Sequence, residues 1–191
     1  MATTVEQQAG IRGHRLMGGL AMAGAVCYII GGFILLATGS LDGDNSNFLA
    51  NTLALVWALG SICGLVGIGM LGVVGRGVFG RVALAIATLA YALVALDALL
   101  IVAGVFSSVE ASPLSAISRL GTLVGMLLVG IAALVARRWP GWRKFSPFAL
   151  LLALPLAIVV GVATGGIPIP VFIGLAWLII GYAVFSTPDL A

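Results

Sequence analysis

Asp97 has the greatest capacity for chemistry in this sequence, because it is the only formal charge between Arg81 and Glu110, inside VALAIATLAYALVALDALLIVAGVF. A carboxylate in hydrocarbon is costly unless it is paired, wetted or protonated, so such a residue marks either function or a specific helix contact. The candidate partner is Arg119. Counted from the basic ends of their apolar runs, Asp97 lies about fifteen residues along one run and Arg119 about seventeen along the next, so the two fall within about a turn of one another. The connection SSVEASP is short, which makes the runs antiparallel neighbours, and a pair costs less than either charge alone. In the competing arrangement Arg119 reaches out to Glu110 or to headgroups, and Asp97 is left protonated or bonded to Tyr28, Trp57, Ser61 or Thr122.

The remaining reactive side chains offer less. His14 is the only histidine and lies in the polar tail, where a lone imidazole cannot assemble the ligand set of zinc, iron or copper. Ser-His and Cys-His nucleophiles are unsupported for the same reason. Asp42 and Asp44 are spaced like the opening of a calcium loop, but Asn47 stands where that loop needs glycine and its closing glutamate is absent, so the segment reads as a solvated turn. The glycines of LVGIGMLGVVGRGVFG follow no strand and make no phosphate loop. Cys27 and Cys63 are each about eleven residues from the same end of consecutive spans, a placement that would let them meet as a thiol pair. Without a C-x-x-C motif, packing is the favoured role. No metal, cofactor or catalytic centre is expected.

The elements that position these groups follow from composition. With 62% hydrophobic and 8% charged residues and a mean hydropathy of +1.25, the chain has too little polar surface for a soluble globule. Lipid is the solvent. The apolar runs are continuous and long rather than alternating, so helices are required and a barrel is excluded. Six spans are expected, at 16–38, 51–74, 82–106, 113–136, 147–164 and 170–186, in one all-α transmembrane domain. Ser112-Pro113 and Ser146-Pro147 each place a capping hydroxyl before a first-turn proline, and Gly165-Gly166 stops the fifth span. The first run is longer than the apolar core of a signal peptide and is read as a retained helix behind a short polar tail. The longest connection, GSLDGDNSNFLAN, leaves no room for a soluble domain.

Arg12, Arg15, Arg76, Arg81, Arg137, Arg138, Arg143 and Lys144 fall on one side of this map, and only Arg119 falls near the other, so both termini are expected in the cytoplasm. Four of these cations flank Trp139 and Trp142, and the set Arg137, Arg138, Trp139, Trp142, Arg143 and Lys144 forms a candidate patch for anionic lipid. RGVFGR at 76–81 resembles RWPGWR at 138–143, which hints at a helix-pair repeat, although the topological rule alone produces such loops. The fifth and sixth spans are short, and Pro155 interrupts the fifth, as in a tilted or kinked hairpin. Gly60-x-x-x-Gly64 and Gly121-x-x-x-Gly125 supply small faces for internal helix packing.

Three functions fit a bundle with one buried acid. The first is a non-catalytic membrane subunit or envelope-associated bundle in which Asp97 and Arg119 fix helix register, with membrane lipids, another membrane protein or further copies of itself as partners. The second is a small carrier or channel for protons or a solute, with Asp97 in the path. The third, a membrane enzyme acting on lipids or quinones, needs more polar groups near Asp97 than the spans contain. Their scarcity ranks the first ahead. No nucleic-acid partner is expected, and the Gly- and Ala-rich spans point to a prokaryotic plasma membrane.

Overall fold

The computed structural model describes residues 2–38, 48–106, 112–164 and 169–188. Six α-helices account for most of them: α1 (Ala2–Thr38), α2 (Phe48–Met70), α3 (Val78–Val102), α4 (Pro113–Ala136), α5 (Ala149–Thr164) and α6 (Ile169–Phe185), with a 3-10 helix at Gly141–Phe148. Among the described residues there is no strand. Backbone groups in lipid must be satisfied within the segment, which a helix does without a neighbour. Five helical stretches, within α1 to α4 and across the 3-10 helix joined to α5 (Gly141–Ala163), are long and apolar enough to cross a membrane, from 23 to 26 residues each, and α6 is an apolar helix of 17. At about 1.5 Å per residue the five measure about 35–39 Å, against a hydrocarbon core of about 30 Å.

Helix ends depart from the expected spans in physically specific ways. α1 has 37 residues and begins at Ala2, so the segment read as a polar tail continues the first helix beyond the apolar stretch Gly13–Thr38. α2 stops at Met70 because Gly72 and Gly75 adopt left-handed backbone, φ 62° and 78°, and turn the chain into α3. Ser112 caps α4 as its residue type implies: its side chain accepts from Leu114 N–H at 3.3 Å, with Pro113 in the first turn. Ser146 does not cap α5. The chain around it is the 3-10 helix, and the buried Ser146 hydroxyl has no partner among the described residues. The two arginine-bracketed segments also differ, since Arg81 lies inside α3 whereas Arg143 lies in the 3-10 helix. Gly165, Gly166, Asp42, Asp44 and Glu110 lie outside the described residues.

The helices close into a ring. α1 packs on α2, α2 on α3 and α3 on α4; the 3-10 helix and α5 connect α4 to α6, which returns to α1. Small residues set the tightest contacts, as expected where helices lack a hydrophobic drive to associate. A methyl group on Gly60 would lie 2.9 Å from the Leu20 carbonyl oxygen and 3.1 Å from Gly24 Cα, and one on Gly125 would lie 2.6 Å from Ala87 Cα. Both glycine pairs therefore serve packing within the bundle. Ala21, Ala25, Ala58, Ala83, Ala87 and Ala133 are buried, while Leu89, Leu120, Leu152 and Val162 point outward. Bulky apolar side chains outside and small ones inside is the arrangement of a lipid-embedded bundle.

The middle of the ring is aromatic. Tyr28 stacks on Trp57 with centroids 4.0 Å apart, Trp57 meets Tyr91 edge-on at 5.7 Å, and Tyr91 meets Trp177 edge-on at 5.1 Å. Trp177 Nε1–H donates to the Tyr91 hydroxyl at 2.9 Å, so one polar bond spans the ring from α6 to α3.

Candidate functional site

Asp97 is buried on α3, with 6% of its surface exposed. Its Oδ1 accepts a hydrogen bond from the Ser112 hydroxyl. Ser112 thus does two things at once, because the same oxygen accepts from Leu114 N–H at the start of α4. The carboxyl group lies where the positive end of the α4 dipole and a hydroxyl donor converge, a favourable place for an acceptor group in a low-dielectric surrounding.

The structure replaces the expected Asp97–Arg119 pair with this contact. Arg119 is exposed on α4, and Thr122 donates to the Arg119 backbone carbonyl at 2.8 Å. The reason is register. Gly121 packs on Ala90 and Gly125 on Ala87, and extending that antiparallel register places Asp97 opposite Leu114 and Ser115, about 7 Å along the axis from the level of Arg119. Nor does Asp97 bond Tyr28, Trp57, Ser61 or Thr122: Ser61 and Thr122 donate to backbone carbonyls of their own helices, while Tyr28 and Trp57 stack together.

A line of small hydroxyls continues from Asp97 along one face of α4. Ser112, Ser115, Ser118 and Thr122 are all buried. Beyond Ser112, each donates to a carbonyl three residues earlier: Ser115 to Ser112 and Ser118 to Ser115 at 3.1 Å, and Thr122 to Arg119 at 2.8 Å. Their protons are used within the helix.

Register also separates the cysteines. Gly24 packs against Gly60, and a methyl on Gly64 would meet Ala21 Cβ at 3.0 Å, so Cys27 and Cys63 are offset by about 8 Å along the helix axes. Both are free and half-buried, and that offset exceeds the reach of a disulfide.

Apart from Arg119, the basic residues with described side chains gather at the other end of the bundle, and the lipid patch expected there divides into parts with different environments. Trp139 is buried rather than interfacial, and its Nε1–H donates to Thr187 Oγ1 at 2.6 Å. Arg143 donates to Ser186 through Nε to the hydroxyl at 3.3 Å and through a terminal nitrogen to the carbonyl at 3.2 Å, closing the end of α6. Trp142 is exposed and stacks on the exposed Tyr182 at 6.3 Å, which does suit a membrane interface. Arg137 is the left-handed end of α4, φ 51°, and Arg138 lies over Gly72 of the α2–α3 turn. Lys144 is half-buried, with its ammonium 5.1 Å from the Phe145 ring.

Neither the role of Thr187 nor the burial of His14 is legible in the sequence. His14 is buried, and its Nε2–H donates to the Thr187 carbonyl at 3.3 Å. The Thr187 hydroxyl donates to the Ala183 carbonyl at 2.5 Å while accepting from Trp139. Thr187, just past the end of α6, therefore ties together α1, α6 and the chain that follows α4. Only a threonine just past an apolar run signals it, which is too common to single out.

Comparison with protein-family models, curated proteins and solved structures gives no match. Its chemistry rests on its own geometry. Among the described residues no three His, Cys, Asp or Glu side chains come together, and the one described acid is occupied by a serine. What remains is a clamp between α3 and α4 at one end, a polar knot at Thr187 and a cationic surface at the other.

Proposed function

We propose that this chain is a non-catalytic integral membrane protein of a prokaryotic plasma membrane, a helical subunit or envelope-associated bundle in which Asp97 holds α3 and α4 in register. The bond from Ser112 to Asp97 carries this reading. An acid recruited for transport needs exchangeable access to water or solute, whereas this one is buried against the cap of the next helix. Both termini lie in the cytoplasm, a reading supported by the gathering of Arg15, Arg76, Arg81 and the Arg137–Lys144 cations at one end. Its partners are membrane lipids, anionic ones included, together with another membrane protein or a second copy that would cover part of the outward apolar surface.

A proton or solute carrier is the second reading, and the buried hydroxyl line Ser112, Ser115, Ser118 and Thr122 leading away from Asp97 favours it. Substituted-cysteine accessibility separates the two. With Cys27 and Cys63 replaced by alanine, thiols at Ser115→Cys, Ser118→Cys and Thr122→Cys should resist a membrane-impermeant reagent that modifies Val105→Cys, whose native side chain is exposed. Modification of the three positions at the rate of Val105→Cys would establish a water path along α4 and displace the structural reading.

A further inference from the structure

A cavity of about 700 Å³ opens at the basic end, between the α2–α3 turn and the chain leaving α4. Its cations come from sequence-distant places: Arg76 before α3, Arg81 in the first turns of α3, and Arg138 just after α4. The wall also includes Gly72 and the apolar Met70 and Leu84. Two backbone features build it. The left-handed Gly72 leaves no side chain beneath Arg138, whose guanidinium nitrogen would be 3.5 Å from a methyl placed there, and the left-handed Arg137 ends α4 immediately before Arg138.

Three like charges around one cavity repel unless an opposite charge is shared among them. Among the described residues none is supplied. Asp97 is the only acid whose side chain is described, and it sits sixteen residues beyond Arg81 on α3, about 24 Å along the axis. Guanidinium groups present planar pairs of donors that match the oxygens of a phosphate. The start of α3 adds to the field, since Gly77 provides no side-chain cap for its first N–H groups. A volume of this size holds a phosphate ester together with a few carbons, for which Met70 and Leu84 provide an apolar wall.

We propose that the cavity between Arg76, Arg81 and Arg138 binds a phosphate-class anion, supplied either by a lipid headgroup or by a soluble phosphate. The site is distinct from the Trp139 to Lys144 loop, and it is independent of whether Asp97 clamps helices or lies in a path.

The test uses the full chain in a neutral detergent with two probes, dioleoyl phosphatidylglycerol followed by native mass spectrometry and inorganic phosphate followed by thermal shift. Dioleoyl phosphatidylcholine is the lipid control. At least one probe should bind the wild type, and bind Arg76→Gln/Arg81→Gln/Arg138→Gln on the order of ten-fold or more weakly at low salt. Binding of the lipid alone assigns the headgroup source, and binding of inorganic phosphate assigns the soluble one. A charge-matched variant, Arg15→Gln/Arg143→Gln/Lys144→Gln, none of which lines the cavity, separates a site from diffuse attraction. It should lose clearly less than the cavity variant. Equal loss in the two variants, or no loss in the cavity variant, would overturn the proposal. If the triple variant does not fold, Arg81→Gln alone, an exposed position, is read by the same criteria.

Discussion

Replacing Ser112 by alanine removes two interactions with a single oxygen, and their sizes can be separated. The cap bond to Leu114 N–H is long, 3.3 Å, so its loss belongs near the ordinary cap cost of about 1 kcal/mol or below. The bond to Asp97 involves a carboxyl acceptor that is 6% exposed; a bond to an ionised group contributes about 1.5–3 kcal/mol, while couplings between helices in membranes reach only about 1.7. About 1.5 kcal/mol is where the two ranges meet. Ser112→Ala should therefore destabilise the bundle by about 2–2.5 kcal/mol in the wild-type background and by about 1 kcal/mol or less when Asp97 is already alanine, a coupling of about 1.5 kcal/mol. Reversible unfolding in mixed micelles of the wild type, Asp97→Ala, Ser112→Ala and the double variant supplies the four values. A parallel cycle with Arg119→Ala should be additive within about 0.5 kcal/mol, because Arg119 is exposed and out of register. Additivity in the first cycle together with coupling in the second would refute the reasoning and restore the ion pair.

Two further outcomes follow from packing and charge. Gly60→Leu should destabilise by about 3 kcal/mol or more, because the added carbon meets α1 backbone at 2.9 Å and the helices must separate, whereas Gly19→Leu, with nothing within 4 Å, should be close to neutral; equal melting temperatures for the two in detergent would contradict the close approach of α1 and α2. In a background without native cysteines, an impermeant maleimide applied outside cells should modify Val105→Cys and spare Phe145→Cys, both exposed positions; the reverse pattern would invert the orientation.

Helix existence was readable because composition leaves no alternative to helices in lipid, and the start of α4 was readable because Ser112-Pro113 is a local device. Contacts between helices were not. Counting residues from loop ends placed Asp97 beside Arg119 and Cys27 beside Cys63, yet both alignments depend on where Gly121 and Gly125 seat on Ala90 and Ala87, and Gly60 and Gly64 on Gly24 and Ala21. A shift of about four or five residues moves a side chain about 7 Å. The capping role of Ser112 is written in its neighbours, whereas its donation to Asp97 depends on the α3–α4 register. Trp139 and Trp142 look alike in sequence, but Arg137 ends α4 in a left-handed turn, and only Trp142 emerges to the surface. His14 is polar and near the beginning of the chain, features that read as exposed; it is buried because α1 runs unbroken past the end of α6.

In the proposed function Asp97 is a clamp rather than a carrier of charge. Proton flux into liposomes holding the purified protein, driven by an imposed potential and read with an internal pH dye, tests this most directly. Vesicles with wild-type protein should match protein-free vesicles, and Asp97→Asn should change nothing. A wild-type flux above that background, abolished by Asp97→Asn in a variant that remains folded, would contradict the account and make Asp97 part of a transport path.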